Sequence, residues 1–215
     1  MTIIAIVDYD IGNIRSIHNA LVSQGAKVII TKDKDKLLSA DGVILPGVGS
    51  FKHGMEKLKE ASLDEILKDY IHTQKPLLGI CLGMQLLFTK SYEFGETDGL
   101  NFIPGEVKKL QLNCDTEFKL PHVNWRAIKT DNISWENSIL RGIDIGSDVY
   151  FVHSYAVCPT SSDNVLSNSE YSSHSFCSAV KHGNVFGCQF HPEKSGDVGL
   201  KIINNFIEIC RGKYE

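Results

Sequence analysis

The sequence predicts an α/β fold in which a mostly parallel open sheet carries helices on both faces and additional antiparallel strands. The first half of the 215-residue chain alternates short apolar runs with amphipathic segments, an order typical of βαβ units and therefore of a parallel sheet. From Glu106 to Gln189, short runs rich in Val, Phe and Tyr are separated by polar loops, which indicates strands, some antiparallel, added to the same sheet. The length suits one domain, so we expect residues 1–215 to form a single domain.

The individual elements are placed by periodicity and by turn residues. Ile3 to Val7 is a β-branched run that predicts the first buried strand, and Gly25 is placed to end a helix over residues 12–24. The charge run Lys32 to Lys36 alternates in sign and predicts a solvated loop. The same signals predict strands at 28–30, 42–45, 76–80 and 185–190, and helices at 55–71, with a break near Ser62, at 81–89 and at 197–210.

The composition argues against several kinds of partner and site. The net charge of −4 gives no electrostatic reason to expect nucleic acid or an anionic membrane as a partner. No apolar run approaches the roughly 20 residues that span a bilayer, and the first residues lack a signal peptide's features, so we expect a cytoplasmic protein with reduced thiols. None of the six cysteines forms a C-x-x-C pair, so we expect no metal site; no motif indicates a cofactor, and all cysteines except Cys81 are predicted packing residues.

Gly79-Ile80-Cys81-Leu82-Gly83 lies between a predicted strand and a predicted helix, which is the nucleophile-elbow pattern with cysteine as the nucleophile. The sharp turn of an elbow strains the backbone of the nucleophile, and the flanking glycines leave room for the chain to pass closely. The N–H groups at the start of the next helix are expected to favour the reactive thiolate. Taken alone, the pattern fits a buried cysteine at a tight turn equally well.

A second motif, Phe190-His191-Pro192-Glu193, ends another predicted strand. Open α/β sheets place their sites at strand ends. A Cys–His pair needs a third group that fixes the imidazole tautomer and stabilises its positive form, and Glu193 is two residues from His191. A surface His beside a surface Glu is common, but together with the elbow this pair indicates a catalytic site.

A third motif, Pro46-Gly47-Val48-Gly49, directly follows the predicted strand that ends at Leu45. Two glycines at a strand end let backbone N–H groups approach a ligand or an oxyanion. A plain turn is the alternative. The spacing fits neither a P-loop nor a dinucleotide-binding motif, so a phosphate site is not indicated.

Together these motifs resemble those of the class I, triad-type, glutamine amidotransferases, and among them the glutaminase subunits that serve histidine biosynthesis. The resemblance covers essentially the whole chain. Besides the elbow and the His-Pro-Glu motif, it rests on segments 8–13, 46–51, 84–85, 121–125, 150–155 and 189–195.

The resemblance implies an enzyme that hydrolyses glutamine. Cys81 would attack the carboxamide and release ammonia, His191 would act as base and then acid, and Glu193 would orient it. Backbone N–H groups of Leu82 and of Val48–Gly49 would form the oxyanion hole. The residues implied to bind glutamine are Gly47, Gln85, Glu93, Ser154 and Tyr155.

The resemblance also implies a heterodimer in which a (β/α)₈-barrel cyclase subunit receives the ammonia through a tunnel and activates the glutaminase. The residues implied at this contact are Asn13, His122, Trp125 and Lys194. Asn124 and Arg126 stand where the family has Gly and Asn. A paralogue that supplies ammonia for amidine formation on a surface sugar is therefore the alternative.

Two further hypotheses belong to other functional classes. A cysteine peptidase or deglycase on a related sheet also uses an elbow cysteine and a histidine, but Gln85 and the His-x-Glu spacing favour a glutaminase. A binding protein without activity is the other hypothesis, and the presence of Cys81, His191 and Glu193 argues against it.

Overall fold

The computed structural model describes residues 1–111, 119–130 and 133–212. The strands in these ranges are β1 (Ile3–Val7), β2 (Lys27–Thr31), β3 (Gly42–Leu45), β4 (Leu77–Ile80), β5 (Phe88–Ser91), β6 (Thr97–Asp98), β7 (Ile103–Lys109), β8 (His122–Ala127), β9 (Asp148–His153), β10 (Tyr155–Pro159), β11 (Val165–Tyr171), β12 (His174–His182) and β13 (Val185–Cys188). The α-helices are α1 (Ile14–Ser23), α2 (Lys34–Ser39), α3 (Phe51–Glu60), α4 (Leu63–His72), α5 (Leu82–Leu86) and α6 (Gly196–Cys210). Two 3-10 turns lie at Ser162–Asn164 and Pro192–Lys194.

The main sheet has seven strands in the order β11-β12-β13-β4-β3-β1-β2. The five strands from β13 to β2 are parallel, and β12 and β11 are added antiparallel at one edge. The predicted fold class is therefore confirmed. Because parallel strands end at the same edge, the loops after β3, β4 and β13 meet there, and these loops carry all three sequence motifs.

Both faces of the main sheet are buried, which explains why its parallel strands are continuously apolar. Along β1, Ile4 and Ile6 pack on the side of α1 and α6, whereas Ala5 and Val7 pack on the side of α2 to α5. This alternation follows from the two-residue period of a strand. The break predicted in the long helical segment is also confirmed, because Ser62, with φ 53°, separates α3 from α4.

The prediction that all later strands join the same sheet is wrong. Strands β10, β7, β5 and β6 form a second sheet, and β8 pairs with β9 as a separate two-stranded ribbon. Sequence patterns indicate which segments are strands, but the choice of neighbour depends on contacts between distant segments. The ribbon is important for the site because β9 leads directly towards the elbow.

The helix predicted over 81–89 is shorter in the structure. It ends at Leu86, and β5 begins at Phe88. The carbonyl of Leu86 accepts from Leu100 N over 2.9 Å, and that of Leu87 accepts from Phe102 N over 2.8 Å, so a distant segment takes the place of the next helical turn. Tertiary pairing overrides local propensity here.

The loop predicted at Lys32 to Lys36 is instead the start of α2. Asp33 caps this helix by accepting from Lys36 N over 3.0 Å, and the helix buries Leu37 completely. The charged side chains remain exposed, as predicted, and Lys34 pairs with Asp69 over 2.6 Å.

Two further sequence predictions concern membrane spans and cysteines. None of the helices in the described ranges has the length and apolar character needed to cross a membrane. Cys177 and Cys188 are buried, as expected of packing residues, but Cys158 is exposed and is not one. Cys114 lies outside the described residues.

Candidate active site

The nucleophile elbow joins β4 to α5 at the carboxyl edge of the main sheet. Cys81 has φ 55° and ψ −113°, a conformation that L-residues rarely adopt and that costs about 1–3 kcal/mol. A Cβ on Gly83 would lie 1.9 Å from Leu45 O, and one on Gly79 would lie 2.7 Å from Gly83 O. The glycines of the motif are therefore required by close backbone contacts around the strained cysteine.

The segment after β13 is brought to the nucleophile by strand pairing. β13 is the parallel neighbour of β4, and Cys81 N donates to Cys188 O over 2.8 Å. Cys188 and Phe190 point into the core, so the two-residue period turns Gln189 and His191 towards Cys81. Pairing of two strands, more than 100 residues apart in sequence, thus places the two motifs together.

His191 is held from three directions. Its Nδ1 lies 2.8 Å from Glu193 Oε1, its N–H donates to Tyr150 O over 2.9 Å, and its carbonyl accepts from Ser195 Oγ over 2.7 Å. The contact with Glu193 directs Nδ1–H at the carboxylate and leaves Nε2 as the second functional nitrogen. The tautomer and the ring orientation are therefore fixed by the fold.

Burial lowers the pKa of His191, but the neighbouring Cys81 and Glu193 more than offset it and raise the pKa to about 10. Nε2 is buried and makes no hydrogen bond of standard geometry with any described residue, so its contact with Cys81 is looser than the one between Nδ1 and Glu193. Such contacts commonly tighten when substrate binds. The raised pKa favours the imidazolium, which is the counter-ion a thiolate needs.

A cavity of about 270 Å³ opens in front of Cys81 and brings most of the predicted site residues together. Glu193 does not line it, because it lies behind His191. The predicted residues that line the cavity are Val48, Gly49, Cys81, Leu82, Gln85, Glu93, Ser154, Tyr155 and His191. A larger cavity of about 660 Å³ lies at the amino-terminal ends of β4 and β13 and contains none of these side chains.

Gly47, predicted to bind glutamine, does not line this cavity and is buried. A Cβ at Gly47 would lie 2.8 Å from Gly83 N and 2.9 Å from the Tyr9 hydroxyl, which donates to Pro46 O over 2.5 Å. Gly47 is therefore a packing position that lets the loop after β3 lie against the elbow.

The other two residues of that loop are exposed to the cavity. Gly49 has φ +96°, a region that favours glycine, and no atom lies within 4 Å of where its Cβ would be. Val48 is also exposed. Val48, Gly49 and Leu82, the residues predicted to form an oxyanion hole, thus line the same cavity.

The residues predicted to bind glutamine are themselves tied to the framework. Glu93 Oε2 accepts from Phe51 N over 2.6 Å, so its carboxylate caps the start of α3. Gln85 Nε2 donates to Tyr155 O over 3.0 Å and to Gln189 Oε1 over 2.9 Å. Both N–H groups of Gln85 are thus engaged, and among the described residues its amide oxygen is the group left for a ligand.

Several residues of the site were not predicted from the sequence. Pro121, Val152 and His153 also line the cavity. Gln189 touches Cys81, and Tyr150 supports His191 through its backbone. Gln189 could have been found from its spacing of two from His191. The others belong to segments 121–125 and 150–155, which contribute to the family resemblance, but the sequence does not show that the pairing of β8 with β9 brings them to the cavity.

The residues predicted at a partner contact separate into two groups. Trp125 is 46% exposed and stacks edge-on with Tyr150 at 6.0 Å, and Lys194 Nζ lies 5.8 Å from the same ring. Asn13 lies at the start of α1 and is half-buried. His122, however, is 0% exposed and cannot itself contact a partner in this conformation.

His122 instead forms a buried pair with His153. His122 Nδ1 lies 3.1 Å from His153 Nε2, and His153 Nδ1 lies 2.9 Å from Tyr155 O. A carbonyl only accepts, so His153 Nδ1 carries a proton and His122 donates to His153. Burial lowers the pKa of His153 to about 3, and burial together with the charge of Arg126 lowers that of His122 to about 4. Both rings are neutral at neutral pH.

We expect this pair to make stability fall with acid. Each histidine titrates near pH 6.5 when unfolded and well below it when folded, so its contribution is complete above pH 6.5 and is lost as pH falls towards about 4. Each buried neutral ring adds up to about 1.4 kcal/mol per pH unit to the slope of the unfolding free energy. His122→Phe, which retains the stacking on Tyr171, should be less stable but should show a shallower slope.

Urea unfolding between pH 4.5 and 7.5 measures these slopes. The exposed His72→Phe is the matched control, with a slope expected to equal that of the unmodified protein. Equal slopes for all three proteins would contradict the assignment of a neutral His122.

Comparisons with known proteins give the family. The family model for class-I glutamine amidotransferases matches residues 5–210. Over 204 residues, 94% of this chain and 93% of each relative, the chain is 46% identical to the imidazole glycerol phosphate synthase subunit HisH of Bacillus cereus (strain AH187) and 48% identical to that of Bacillus mycoides (strain KBAB4).

Solved structures share the fold at lower identity. A putative GMP synthase protein from Thermoplasma acidophilum superposes with a TM-score of 0.70 at 23% identity, covering 99% of this chain and 96% of that one. PurLQS from Thermotoga maritima gives a TM-score of 0.70 at 20% identity, covering 97% and 98%. With the elbow and its surroundings described above, these matches lead to one conclusion: the chain belongs to the class I glutamine amidotransferase family.

Proposed function

We propose that this chain is the glutaminase subunit of an imidazole glycerol phosphate synthase. It would hydrolyse glutamine and pass the ammonia to a cyclase subunit that makes imidazole glycerol phosphate and AICAR in histidine biosynthesis. The observation that carries the proposal is the cavity where Cys81 meets the His191–Glu193 pair, in a chain up to 48% identical to HisH subunits. Residues 1–215 would act as one domain, in the cytoplasm, where the Cys81 thiol stays reduced.

The arrangement accounts for each chemical step. The Cys81 thiolate attacks the carboxamide carbon, the C–N bond breaks, and the nitrogen leaves as ammonia with the proton of the His191 imidazolium. Neutral His191 then takes a proton from water, whose oxygen attacks the thioester. The C–S bond breaks, glutamate leaves, and the thiolate and imidazolium are restored. Glu193 moves no proton and keeps the imidazole oriented.

Binding of glutamine is proposed to use the polar groups that line the cavity. The free amide oxygen of Gln85 and the carboxylate of Glu93 are acceptors that suit the α-ammonium group. Ser154 and Tyr155 line the same cavity. The N–H groups of Leu82 and of Val48–Gly49 would hold the oxyanion that forms on the carbonyl oxygen.

The proposed partner is a (β/α)₈-barrel cyclase, and the surface made by Trp125, Tyr150 and Lys194 supports a contact beside the active site. This surface carries the exposed ring of Trp125 and the half-buried ring of Tyr150, with Lys194 beside them, and interfaces favour aromatic side chains. Because Tyr150 O accepts from His191 N, one backbone hydrogen bond joins this surface to the proposed base.

The alternative acceptor is a surface sugar that receives ammonia for amidine formation. The observation that favours it is the exposed Asn124 and the half-buried Arg126 on β8. They stand where the family has Gly and Asn, so the surface at this predicted contact differs from that of the family and suits a different partner. Glutamate release measured with a histidine-pathway cyclase decides between the two. Stimulation by the cyclase supports the first proposal, and its absence alongside intact basal hydrolysis supports the second.

We expect the isolated chain to hydrolyse glutamine slowly. The ligand-bound cyclase should raise kcat by about 10²–10³, which is the factor by which kcat falls when one oxyanion-hole donor is removed. The physical basis is the exposed Val48–Gly49 peptide, which can present either its N–H or its carbonyl to the cavity because Gly49 is sterically unhindered. The partner would favour one orientation through differential contacts. A coupled glutamate assay with and without the liganded cyclase measures the effect.

Gly49→Pro tests the donor directly, because proline has no N–H and cannot adopt φ +96°. It should abolish both basal and activated hydrolysis. Gly49→Ala keeps the N–H, and Gly146→Ala is its matched control, with φ +93° and equally open space at the far end of β9. Full activity of the isolated unmodified chain would rule out the switch.

A further inference from the structure

Gln189 lies directly behind the nucleophile. Its side chain is 0% exposed, and its Nε2 is 3.7 Å from Cys81 Sγ, within reach of an N–H···S hydrogen bond because sulfur is large. Unlike Gln85, it does not line the cavity. It can therefore act on the sulfur without touching glutamine.

The orientation of the Gln189 amide is set by a chain of hydrogen bonds that begins at a backbone carbonyl. Tyr155 O can only accept, so Gln85 must direct Nε2 towards it. The second N–H of Gln85 then requires an acceptor at 2.9 Å, which makes that atom Oε1 of Gln189. The remaining end of the Gln189 amide is the donor, and it faces Cys81.

Tyr155 O is itself immobilised. It accepts from Gln85 Nε2 over 3.0 Å and from His153 Nδ1 over 2.9 Å, which occupies both of its lone pairs. The His122–His153 pair described above thus holds the same atom that orients Gln85. Rotation of the Gln189 amide would leave two buried polar groups mismatched, a costly arrangement in a closed site.

The other groups near the sulfur do not provide this donor. The Cys81 thiol can donate to Val152 O over 3.8 Å, a contact that favours the protonated form. Burial raises the pKa of Tyr9 and that of Cys188, so both stay neutral beside Cys81. Of the side chains that the described residues place near the sulfur, His191 and Gln189 are left as those that favour the thiolate.

We propose that Gln189 is a catalytic residue that donates an N–H to the Cys81 sulfur, stabilises the thiolate and aims it at the carboxamide carbon. The proposal rests on the proposed function. His191 and Gln189, two residues apart on one extended segment, would then approach the sulfur together, one providing a charge and a proton, the other a fixed neutral dipole.

The first test separates kcat from KM. Gln189→Met removes the donor while filling a similar volume. We expect kcat to fall roughly 10-fold with KM unchanged, because the lost hydrogen bond to the charged sulfur comes from a side chain that does not line the substrate cavity. Gln85→Met is the comparison: it lines the cavity, so its KM should rise. A raised KM with unchanged kcat in Gln189→Met would overturn the proposal.

The second test needs no glutamine. Iodoacetamide labels the thiolate, and the Cys81 peptide is quantified by mass spectrometry as a function of pH. In Gln189→Met we expect the pH midpoint of Cys81 labelling to rise by about one unit, equivalent to a tenfold weaker preference for the thiolate. The exposed Cys158 is an internal control whose labelling should not change.

Two further variants keep the result interpretable. Gln189→Glu preserves the shape, still accepts from Gln85 and places a carboxylate oxygen at the sulfur, so its shift should be at least as large. Ser167→Ala removes a buried hydrogen bond to Ser178 and controls for lost stability, with no shift expected. Wild-type midpoints in both folded Gln189 variants would overturn the proposal, whereas shifted labelling in a chain that makes no glutamate would overturn only the proposed function.

Discussion

Cys81→Ala is expected to lower kcat for glutamine hydrolysis by about 10⁶, the loss seen when a nucleophile is removed from a comparable triad. No other described thiol can replace it: Cys177 and Cys188 are buried on the core sides of their strands, and neither Cys158 nor Cys210 lines the cavity. Cys81→Ser should be nearly as inactive, because a hydroxyl gives an alkoxide far less readily than a thiol gives a thiolate. Glutamate release measures both.

The control is that Cys81→Ala keeps the fold. Alanine retains the Cβ and meets the same strain at φ 55°, so the circular dichroism spectrum and the melting temperature should stay close to those of the unmodified protein. Appreciable glutamate production by a folded Cys81→Ala would show that another group is the nucleophile.

The elbow is the part of the site that the sequence predicts best, because its constraints are local. A Cβ on Gly79 would touch backbone four to five residues away, and one on Gly83 would touch the end of the adjacent strand, so the two glycines of the motif mark these close contacts. The His-x-Glu pair is local too: a spacing of two places Glu193 against Nδ1 of His191 at 2.8 Å. Contacts between residues close in the chain can therefore be predicted from residue spacing.

The contacts that surround several predicted residues, and the residues that sequence reasoning missed, depend on segments distant in the chain. Gly47 has the appearance of a ligand-binding glycine, yet its backbone faces Tyr9 and Gly83. Glu93 reaches 42 residues back to cap α3, and His122 is buried by stacking on Tyr171. No periodicity reports which strand pairs with which, so the separate β8–β9 ribbon and its side chains in the cavity could not be foreseen.

The two members of the His191–Glu193 pair are expected to differ in importance. His191→Ala removes the group that moves protons in both steps, and kcat should fall by about 10⁶; Glu193→Gln removes only the orienting charge, and the fall should be nearer 10⁴. In Glu193→Gln the new side chain retains an oxygen that can accept from Nδ1 of His191, so the tautomer is partly preserved. In His191→Ala no base is left within reach of the sulfur. Steady-state kinetics on the purified, partner-activated variants compares them.

The electrostatic role of Glu193 gives this comparison a second measurement. Because Glu193 and Cys81 together raise the pKa of His191 against the opposing effect of burial, Glu193→Gln should lower that pKa from about 10. The imidazolium would then lose its proton at a lower pH, and NMR titration of the His191 ring follows that shift. The exposed Glu136→Gln is the matched control and should leave the titration unchanged. Equal losses of kcat in the two pair variants, or an unshifted His191 titration in Glu193→Gln, would show that Glu193 neither orients nor stabilises the imidazolium.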